Sequence, residues 1–196
     1  MIYGGNFTAS VTHMGTSGDD FLPGTSIGET FVGGLGNDVL TGGGGGDAFQ
    51  GGAGDDEIHV SDGAFRKVDG GGGFDILHLD FAGAIDFGNI DRDTATADHT
   101  KIRSIESIDV DNGLANQLTL YVSDLLEIDA GGPDLGGAAT LDNVLKIDGN
   151  IGDSLLLDPA DDWGLPIARP WRDMRFTPPE MSRLRSIRIL SRQWPD

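Results

Sequence analysis

Glycine recurs at intervals of nine residues through much of the first half of the chain. After one extra residue the interval resumes, so the glycines that open each unit are Gly15, Gly24, Gly33, Gly42, Gly51 and Gly70. The sixth position of every unit is acidic: Asp20, Glu29, Asp38, Asp47, Asp56 and Asp75. The eighth position is always large and apolar: Leu22, Phe31, Leu40, Phe49, Ile58 and Leu77. Because the glycine, acidic and apolar positions all recur with the same spacing, the segment is a structural repeat and not a flexible glycine linker.

Each unit predicts a glycine-rich loop followed by a short strand. Glycine adopts positive φ and permits close backbone approach, and such a loop presents carbonyl oxygens as hard ligands, to which the sixth residue adds charge. The eighth side chain points into a core, because neighbouring residues of a strand face opposite sides. The repeat therefore combines an oxygen-lined loop with an apolar strand.

The units resemble the RTX nonapeptide G-G-x-G-x-D-x-U-x of the haemolysin-type calcium-binding proteins. The resemblance implies an all-β fold, a parallel β-roll with two nonapeptides per coil and Ca²⁺ between successive loops of one edge. It pairs the loop of Asp38 with those of Asp20 and Asp56, and the Glu29 loop with that of Asp47. Residues 60–69 fill a half-coil without matching the loop, so the Asp56 and Asp75 loops also face each other. We expect about three to four calcium ions, because each takes roughly six to eight oxygens.

The expected calcium ligands come from the first, fourth and sixth positions of the repeats. They are Gly15, Gly18, Asp20, Gly33, Gly36, Asp38, Gly42, Gly45, Asp47, Gly51, Gly54, Asp56 and Asp75. The Glu29 unit has Thr25 and Ile27 in place of glycine, so we expect its loop to be a cap or a half-occupied site.

Charge is distributed unevenly along the chain. The net charge is −19, but residues 1–163 carry 29 acids against 6 basic residues, or −23, and residues 164–196 carry 3 acids against 7 arginines, or +4. The acidic body argues against nucleic acid or anionic membrane as a partner and favours cations. Repulsion between the carboxylates predicts poor folding without calcium. The chain has no cysteine, so no disulfide can stabilise the small core, and a bound metal is the remaining means of cross-linking it.

The sequence divides into four segments: a lead-in over 1–14, the repeats over 15–78, a β-rich extension or cap over 79–163 and a basic tail over 164–196. The extension is similar to the region downstream of the repeats in large RTX adhesins, at residues 105–109, 116–120, 124–126 and 145–149. The tail is predicted to be irregular, with a helix compatible over 180–190. It is either a basic tail folding back on the acidic body or a translation in another frame, and the abrupt change of composition favours the second.

Neither an N-terminal secretory signal nor a membrane span is predicted, since no basic and apolar leader and no run of 18 apolar residues occurs. The RTX resemblance implies type I secretion and an extracellular location, with the secretion machinery as a partner, although the chain's end lacks an acidic or hydroxyl-rich terminus. The oligomeric state is not predicted.

No enzymatic activity is expected. Ser26 lies in a G-x-S-x-G match and residues 43–48 fit G-x-G-x-x-A, but both fall inside the repeat and lack the surrounding fold that each motif needs. His13 and His99 are isolated, and His59 and His78 occupy the ninth position, where a solvent-facing strand end is predicted. A zinc site there would need a third ligand, which the sequence does not identify.

The leading functional hypothesis is a calcium-responsive folding and secretion module. Two alternatives remain open: a structural or adhesive segment of a large cell-surface protein, and the C-terminal part of a secreted hydrolase.

Overall fold

The computed structural model describes residues 12–90, 101–121, 144–150, 153–157 and 186–190. These residues form an almost wholly β structure, as predicted, with one short helix, α1, at Phe87–Ile90. The strands in chain order are β1 Thr12–Met14, β2 Phe21–Pro23, β3 Thr30–Leu35, β4 Val39–Thr41, β5 Ala48–Ala53, β6 Glu57–Val60, β7 Lys67–Gly72, β8 Ile76–Leu79, β9 Gly83–Asp86, β10 Ile102–Arg103, β11 Ser107–Asp109, β12 Asn116–Leu120, β13 Val144–Asp148, β14 Ser154–Leu157 and β15 Ser186–Leu190.

Successive strands of the repeat region alternate between two parallel sheets. The first sheet has the order β1-β3-β5-β7-β10, and the second has the order β2-β4-β6-β8-β11-β13-β15. Phe31 lies opposite Phe49, two nonapeptides later, and Ile58 lies opposite Leu77 across the one-residue insertion. The nine-residue period is therefore the distance from one sheet to the other, and two periods return the chain to the same sheet.

The core lies between these two sheets and is built mainly from the eighth residues of the repeats. Phe31, Leu40, Phe49, Ile58 and Leu77 are buried, and Leu22 is partly buried against them. Phe31 and Phe49 stack with ring centroids 5.0 Å apart. Each buried side chain of this size contributes roughly 1.5–3 kcal/mol relative to an exposed one. Val68 takes the next place in the first sheet, so residues 60–69, which lack the loop motif, still supply a core residue.

The extension after residue 79 continues the second sheet. Ile108 of β11 lies opposite Leu77, and Ile147 of β13 lies opposite Ile108. β12 instead joins β9 and β14 in a separate parallel sheet of three strands. The three segments expected to be strands here, 105–109, 116–120 and 145–149, all contain strands, and the short segment 124–126 lies outside the described residues.

The two ends of the chain depart from the sequence-based expectations. Thr12–Met14 of the lead-in pairs with β3 and so belongs to the first sheet. In the tail, residues 186–190 form β15, antiparallel to β13, so the expectations of a helix and of an irregular segment are wrong there. Residues 186–189, Ser-Ile-Arg-Ile, alternate polar and apolar side chains with period two, and the edge of β13 offers unpaired backbone groups to such a strand. Residues 180–185 lie outside the described residues.

Candidate metal centres

The sixth residues of four repeats form a column of carboxylates along one edge of the paired sheets. Asp38 accepts a hydrogen bond at Oδ1 from the backbone N–H of Asp20 at 2.8 Å, and Asp56 accepts one from Asp38 at 2.8 Å. Asp75 accepts the next from Asp56 at 2.9 Å. This acidic column continues to Glu106, whose Oε2 accepts from the N–H of Asp75 at 2.7 Å. Each carboxylate is thus fixed by the backbone N–H of the preceding member of the column.

The second oxygen of three members of the acidic column has no hydrogen-bond partner. Oδ2 of Asp38, Asp56 and Asp75 is buried, and no donor within the described part of the chain reaches it. Burial raises the pKa of Asp56 to about 6, opposed by the N–H of Asp38 and reinforced by the charges of Asp38 and Asp55. Burial likewise raises the pKa of Asp75 to about 7, against the N–H of Asp56 and with the charge of Glu106. Buried carboxylates without donors are costly as anions unless a cation compensates them.

Glycine at the first position of each unit makes room for the carboxylate. A Cβ on Gly33, Gly42, Gly51 or Gly70 would collide with Oδ2 of the aspartate five residues later, and one on Gly15 would collide with Oδ2 of Asp20. The collisions also involve the carbonyl oxygen of the following coil's first glycine, as with Gly33 against Gly51. Carboxylate and carbonyl oxygens therefore lie close together at the start of each loop.

The backbone conformation of the fourth-position glycine differs between the intact loops and the first loop. Gly36, Gly45 and Gly54 have φ of 98°, 87° and 123°, a region that favours glycine, whereas Gly18 does not have positive φ. In that first loop Thr16 occupies the second position, and Oδ2 of Asp20 accepts from its N–H at 2.6 Å and from its Oγ1 at 2.9 Å. The expected ligand Asp20 therefore has its outer oxygen already engaged within its own loop.

The Glu29 loop closes in the same manner. Oε2 of Glu29 accepts from the N–H of Thr25 at 2.6 Å, and this bond holds the pKa of Glu29 below its ordinary value despite burial. His13 adds a contact from Nε2 to Oε1 of Glu29 at 3.2 Å. The sequence signal was present in both cases, because threonine replaces glycine at the second position of these two units alone.

The opposite edge, which carries Glu29 and Asp47, contains the positively charged side chain of Arg66. Arg66 directly precedes β7, as Asp47 directly precedes β5, and its backbone N–H donates to the carbonyl of Asp47 at 2.6 Å. Nε of Arg66 donates to the carbonyl of Gly46 at 2.6 Å, and Nη2 donates to the carbonyl of Glu29 at 3.0 Å. A guanidinium group thus lies on the loop carbonyls of this edge. The sequence of residues 60–69 indicated only an unmatched segment, so this role of Arg66 was not predicted.

Burial raises the pKa of Asp47, and the N–H of Glu29, which donates to its Oδ1 at 2.9 Å, opposes the rise. The charges of Glu29 and Asp62 raise the pKa further, whereas Arg66 lowers it. The two edges therefore differ in electrostatics: the acidic column has three partnerless carboxylate oxygens, and the Asp47 edge has an arginine.

A third group of possible ligands lies on the outer face of the second sheet. His59 and His78 were predicted to be solvent-facing, but their side chains are only 24% and 18% exposed, and their rings stack with centroids 4.2 Å apart. The ligand atoms of Glu57, His59 and His78 lie within 4.8 Å of one another. Glu57 is the third ligand that the sequence did not identify; the missing information was the register that places His59 opposite His78.

The chain was compared with protein-family models, curated proteins and solved structures, and nothing matched in any of the three comparisons. Within the described ranges, no helix has the length and apolar character needed to cross a membrane.

Proposed function

We propose that this chain is a calcium-binding module of the RTX type, whose two parallel sheets are the walls of a β-roll and whose folding depends on the metal. The observation that carries the proposal is the acidic column, in which Oδ2 of Asp38, Asp56 and Asp75 is buried without a hydrogen-bond donor. Three such oxygens beside backbone carbonyls form an all-oxygen environment, and this is the ligand type that calcium prefers. In this role the module is a binding and structural element and not an enzyme.

The sites fall between adjacent loops of the acidic column. We place about three ions there, one between each successive pair of the Asp20, Asp38, Asp56 and Asp75 loops, because each Ca²⁺ takes roughly six to eight oxygens and must draw on two loops. Asp38, Asp56 and Asp75 supply the charge, with the carbonyls of the intact loops as further ligands. The loops of Asp20 and Glu29 use their carboxylates internally, and they serve as ends of the stack instead of full sites.

Metal binding drives folding in this proposal. Without a cation, closing the loops would bring several carboxylates into a buried column inside a body that already carries −23 over residues 1–163. Calcium removes that penalty, so its binding free energy becomes folding free energy. Extracellular calcium modules work at roughly 10⁻⁴–10⁻³ M, so such a chain would stay unfolded in the cytosol and fold after secretion. A type I route and an extracellular location follow from the resemblance and belong to the same proposal.

A second candidate is a structural segment of a cell-surface protein. It is favoured by the second sheet, which continues past the repeats from β8 through β11 to β13 in parallel register. In that case calcium would stiffen a rod and another region of a larger protein would bind the target.

The test is a calcium titration from excess chelator, followed by far-ultraviolet circular dichroism. We expect β-structure to appear cooperatively with Ca²⁺ and to appear poorly with Mg²⁺, which demands a tighter octahedron than glycine loops provide. Asp56→Asn should raise the calcium midpoint at least about tenfold, because it removes the charge of a central ligand. Asp55→Asn is the matched control, since Asp55 is adjacent, carries the same charge and is exposed. Unchanged β-structure in chelator, or equal midpoints for the two variants, would overturn the proposal.

A further inference from the structure

Glu57, His59 and His78 stand on one face of two neighbouring strands. His59 of β6 lies opposite His78 of β8, and Glu57 precedes His59 by two residues, so strand alternation puts all three side chains on the outer face. The intervening Ile58 and Leu77 point into the core and are fully buried, which fixes the orientation of both strands. The cluster is therefore held by the packing of the sheet.

A carboxylate orients each of the two imidazole rings. Nδ1 of His59 lies 2.8 Å from Oδ2 of Asp80, and Nδ1 of His78 lies 3.2 Å from Oδ2 of Asp109. In these positions each carboxylate accepts from Nδ1–H of its ring, which selects the tautomer that carries the proton on Nδ1. This arrangement leaves Nε2 of each neutral ring with its lone pair available, and it is the usual setting of a metal-ligating histidine.

The available nitrogens have no competing partner within hydrogen-bond distance. Nε2 of His78 is buried, and no hydrogen-bond partner for it exists among the described residues. Nε2 of His59 is 4.0 Å from Oε2 of Glu57, which is too long for a hydrogen bond. Two imidazole nitrogens and a carboxylate thus lie within 4.8 Å of one another on the outer face of the sheet, with the two rings stacked within 4° of parallel.

We infer that Glu57, His59 and His78 form a binding site for Zn²⁺, with Asp80 and Asp109 as positioning residues. Two imidazole nitrogens and one carboxylate oxygen, with a fourth position open, are a ligand set that zinc takes, whereas calcium is bound by oxygens alone. Tetrahedral zinc with bonds of about 2.0–2.1 Å holds its ligand atoms about 3.3 Å apart. Closing the present separations of up to 4.8 Å requires rotation of the half-exposed Glu57 and rotation of at least one imidazole out of the stacked pair, because the lone pairs of parallel rings do not converge on one ion.

This site is independent of the calcium proposal, because it lies on a sheet face and uses none of the loop residues. Zinc there would join β6 to β8 across the one coil that contains the insertion, and its open position would face outward. The chain would then hold two kinds of metal at separate places, a hard ion at the loops and a borderline-soft ion on the sheet.

The experiment uses the full chain without a histidine tag, saturated with Ca²⁺ so that the acidic loops are occupied. Zn²⁺ is titrated against a chromophoric zinc indicator, and Co²⁺ is added separately to record its visible absorption. We expect one Zn²⁺ per chain and the intense absorption of a four-coordinate nitrogen and oxygen site. His78→Gln should weaken zinc binding at least about tenfold, and Asp109→Asn should weaken it about 10- to 100-fold through loss of ring orientation. Neither variant should change the calcium midpoint.

His13→Gln is the matched control, because His13 lies outside the cluster in contact with Glu29, and it should leave zinc affinity unchanged. Equal zinc affinity for His78→Gln and the wild type would overturn the inference, as would a weak octahedral Co²⁺ spectrum of the wild type. If His78→Gln fails to fold with calcium, nuclear magnetic resonance of the wild type decides: zinc must shift the ring signals of His59 and His78 and leave those of His13 in place. Shifts confined to other histidines would also refute the site.

Discussion

Replacing Asp75 by asparagine is expected to have opposite effects with and without calcium. Asp75 is fully buried, its Oδ1 accepts the N–H of Asp56, and its Oδ2 has no donor among the described residues. In the metal-free fold its pKa is raised from 3.8 to about 7, chiefly by burial. The folded state therefore binds the proton more tightly than the unfolded chain. Its contribution to stability is complete below pH 3.8 and is lost as pH rises toward 7.

The size of the stability change follows from the difference between the two pKa values of Asp75, 3.8 in the unfolded chain and about 7 in the fold. Each pKa unit is worth about 1.4 kcal/mol, so keeping Asp75 ionised costs the calcium-free fold at most about 4 kcal/mol above pH 7. Asparagine keeps the Oδ1 acceptor and removes the charge, but it adds an amide N–H group that costs about 1–3 kcal/mol if it finds no acceptor. We expect Asp75→Asn to raise the free energy of unfolding in chelator by about 1–3 kcal/mol at pH 8.

The assay is urea unfolding in chelator at pH 8 and pH 5.5, with an osmolyte that keeps the wild type folded. Asp55→Asn is the control: the charge of exposed Asp55 also raises the pKa of Asp75, so this variant should give a smaller gain of the same sign. The gain should shrink at pH 5.5, because the wild-type carboxyl is then largely protonated. In calcium the same variant should need at least about tenfold more Ca²⁺ to fold, since a charged ligand is missing. A loss of stability in chelator at pH 8, or a gain that does not vary with pH, would refute the reasoning.

Three further predictions concern the two edges and the tail. Asp38→Ala should raise the calcium midpoint more than Asp47→Ala, because Asp38 lies inside the acidic column and Asp47 faces Arg66; equal midpoints would contradict the edge assignment. Arg66→Ala should lower the free energy of unfolding in chelator by about 1–3 kcal/mol, since it removes donors from two loop carbonyls. It should also allow one additional Ca²⁺ per chain, counted by native mass spectrometry, and an unchanged count would show that the guanidinium does not occupy a cation position. Truncation after Asp162 removes β15, which pairs with β13 and not with a strand of the repeats, so the calcium midpoint should stay within about twofold. A severalfold higher requirement would identify the tail as a basic cap and argue against a change of frame.

The core and the acidic column could be predicted from the sequence because both depend only on phase. A nine-residue period puts every eighth-position side chain between the sheets, and two periods put Asp38 directly beside Asp56. Glu106 could have been added by the same reasoning, since it directly precedes β11 as the repeat acids precede their strands. The nine-residue spacing is enough to predict a contact wherever the two contacting residues occupy the same position in neighbouring repeats.

The arginine edge and the histidine cluster could not be predicted because both depend on how residues 60–69 are arranged, and these residues do not follow the nine-residue pattern. Spacing alone says nothing about the reach of the Arg66 guanidinium to carbonyls of two earlier loops. The contact between His59 and His78 requires knowing that the extra residue is absorbed before β7 and leaves the next pairing in register. The tail strand depends on an edge supplied by β13, which no local pattern in the tail specifies.

The hydrogen bonds along the acidic column run in both directions. The N–H groups of its four aspartates donate forward, each to the carboxylate of the next member toward the C-terminus. The residues that directly follow three of these aspartates in sequence, Val39, Glu57 and Ile76, donate their N–H groups back to the carbonyls of Asp20, Asp38 and Asp56. Each aspartate between the two ends is therefore held by the repeat before it and by the repeat after it. Removing a repeat from either end of the column would break bonds of both kinds, so neither end can be shortened without leaving polar groups of the next repeat unpaired.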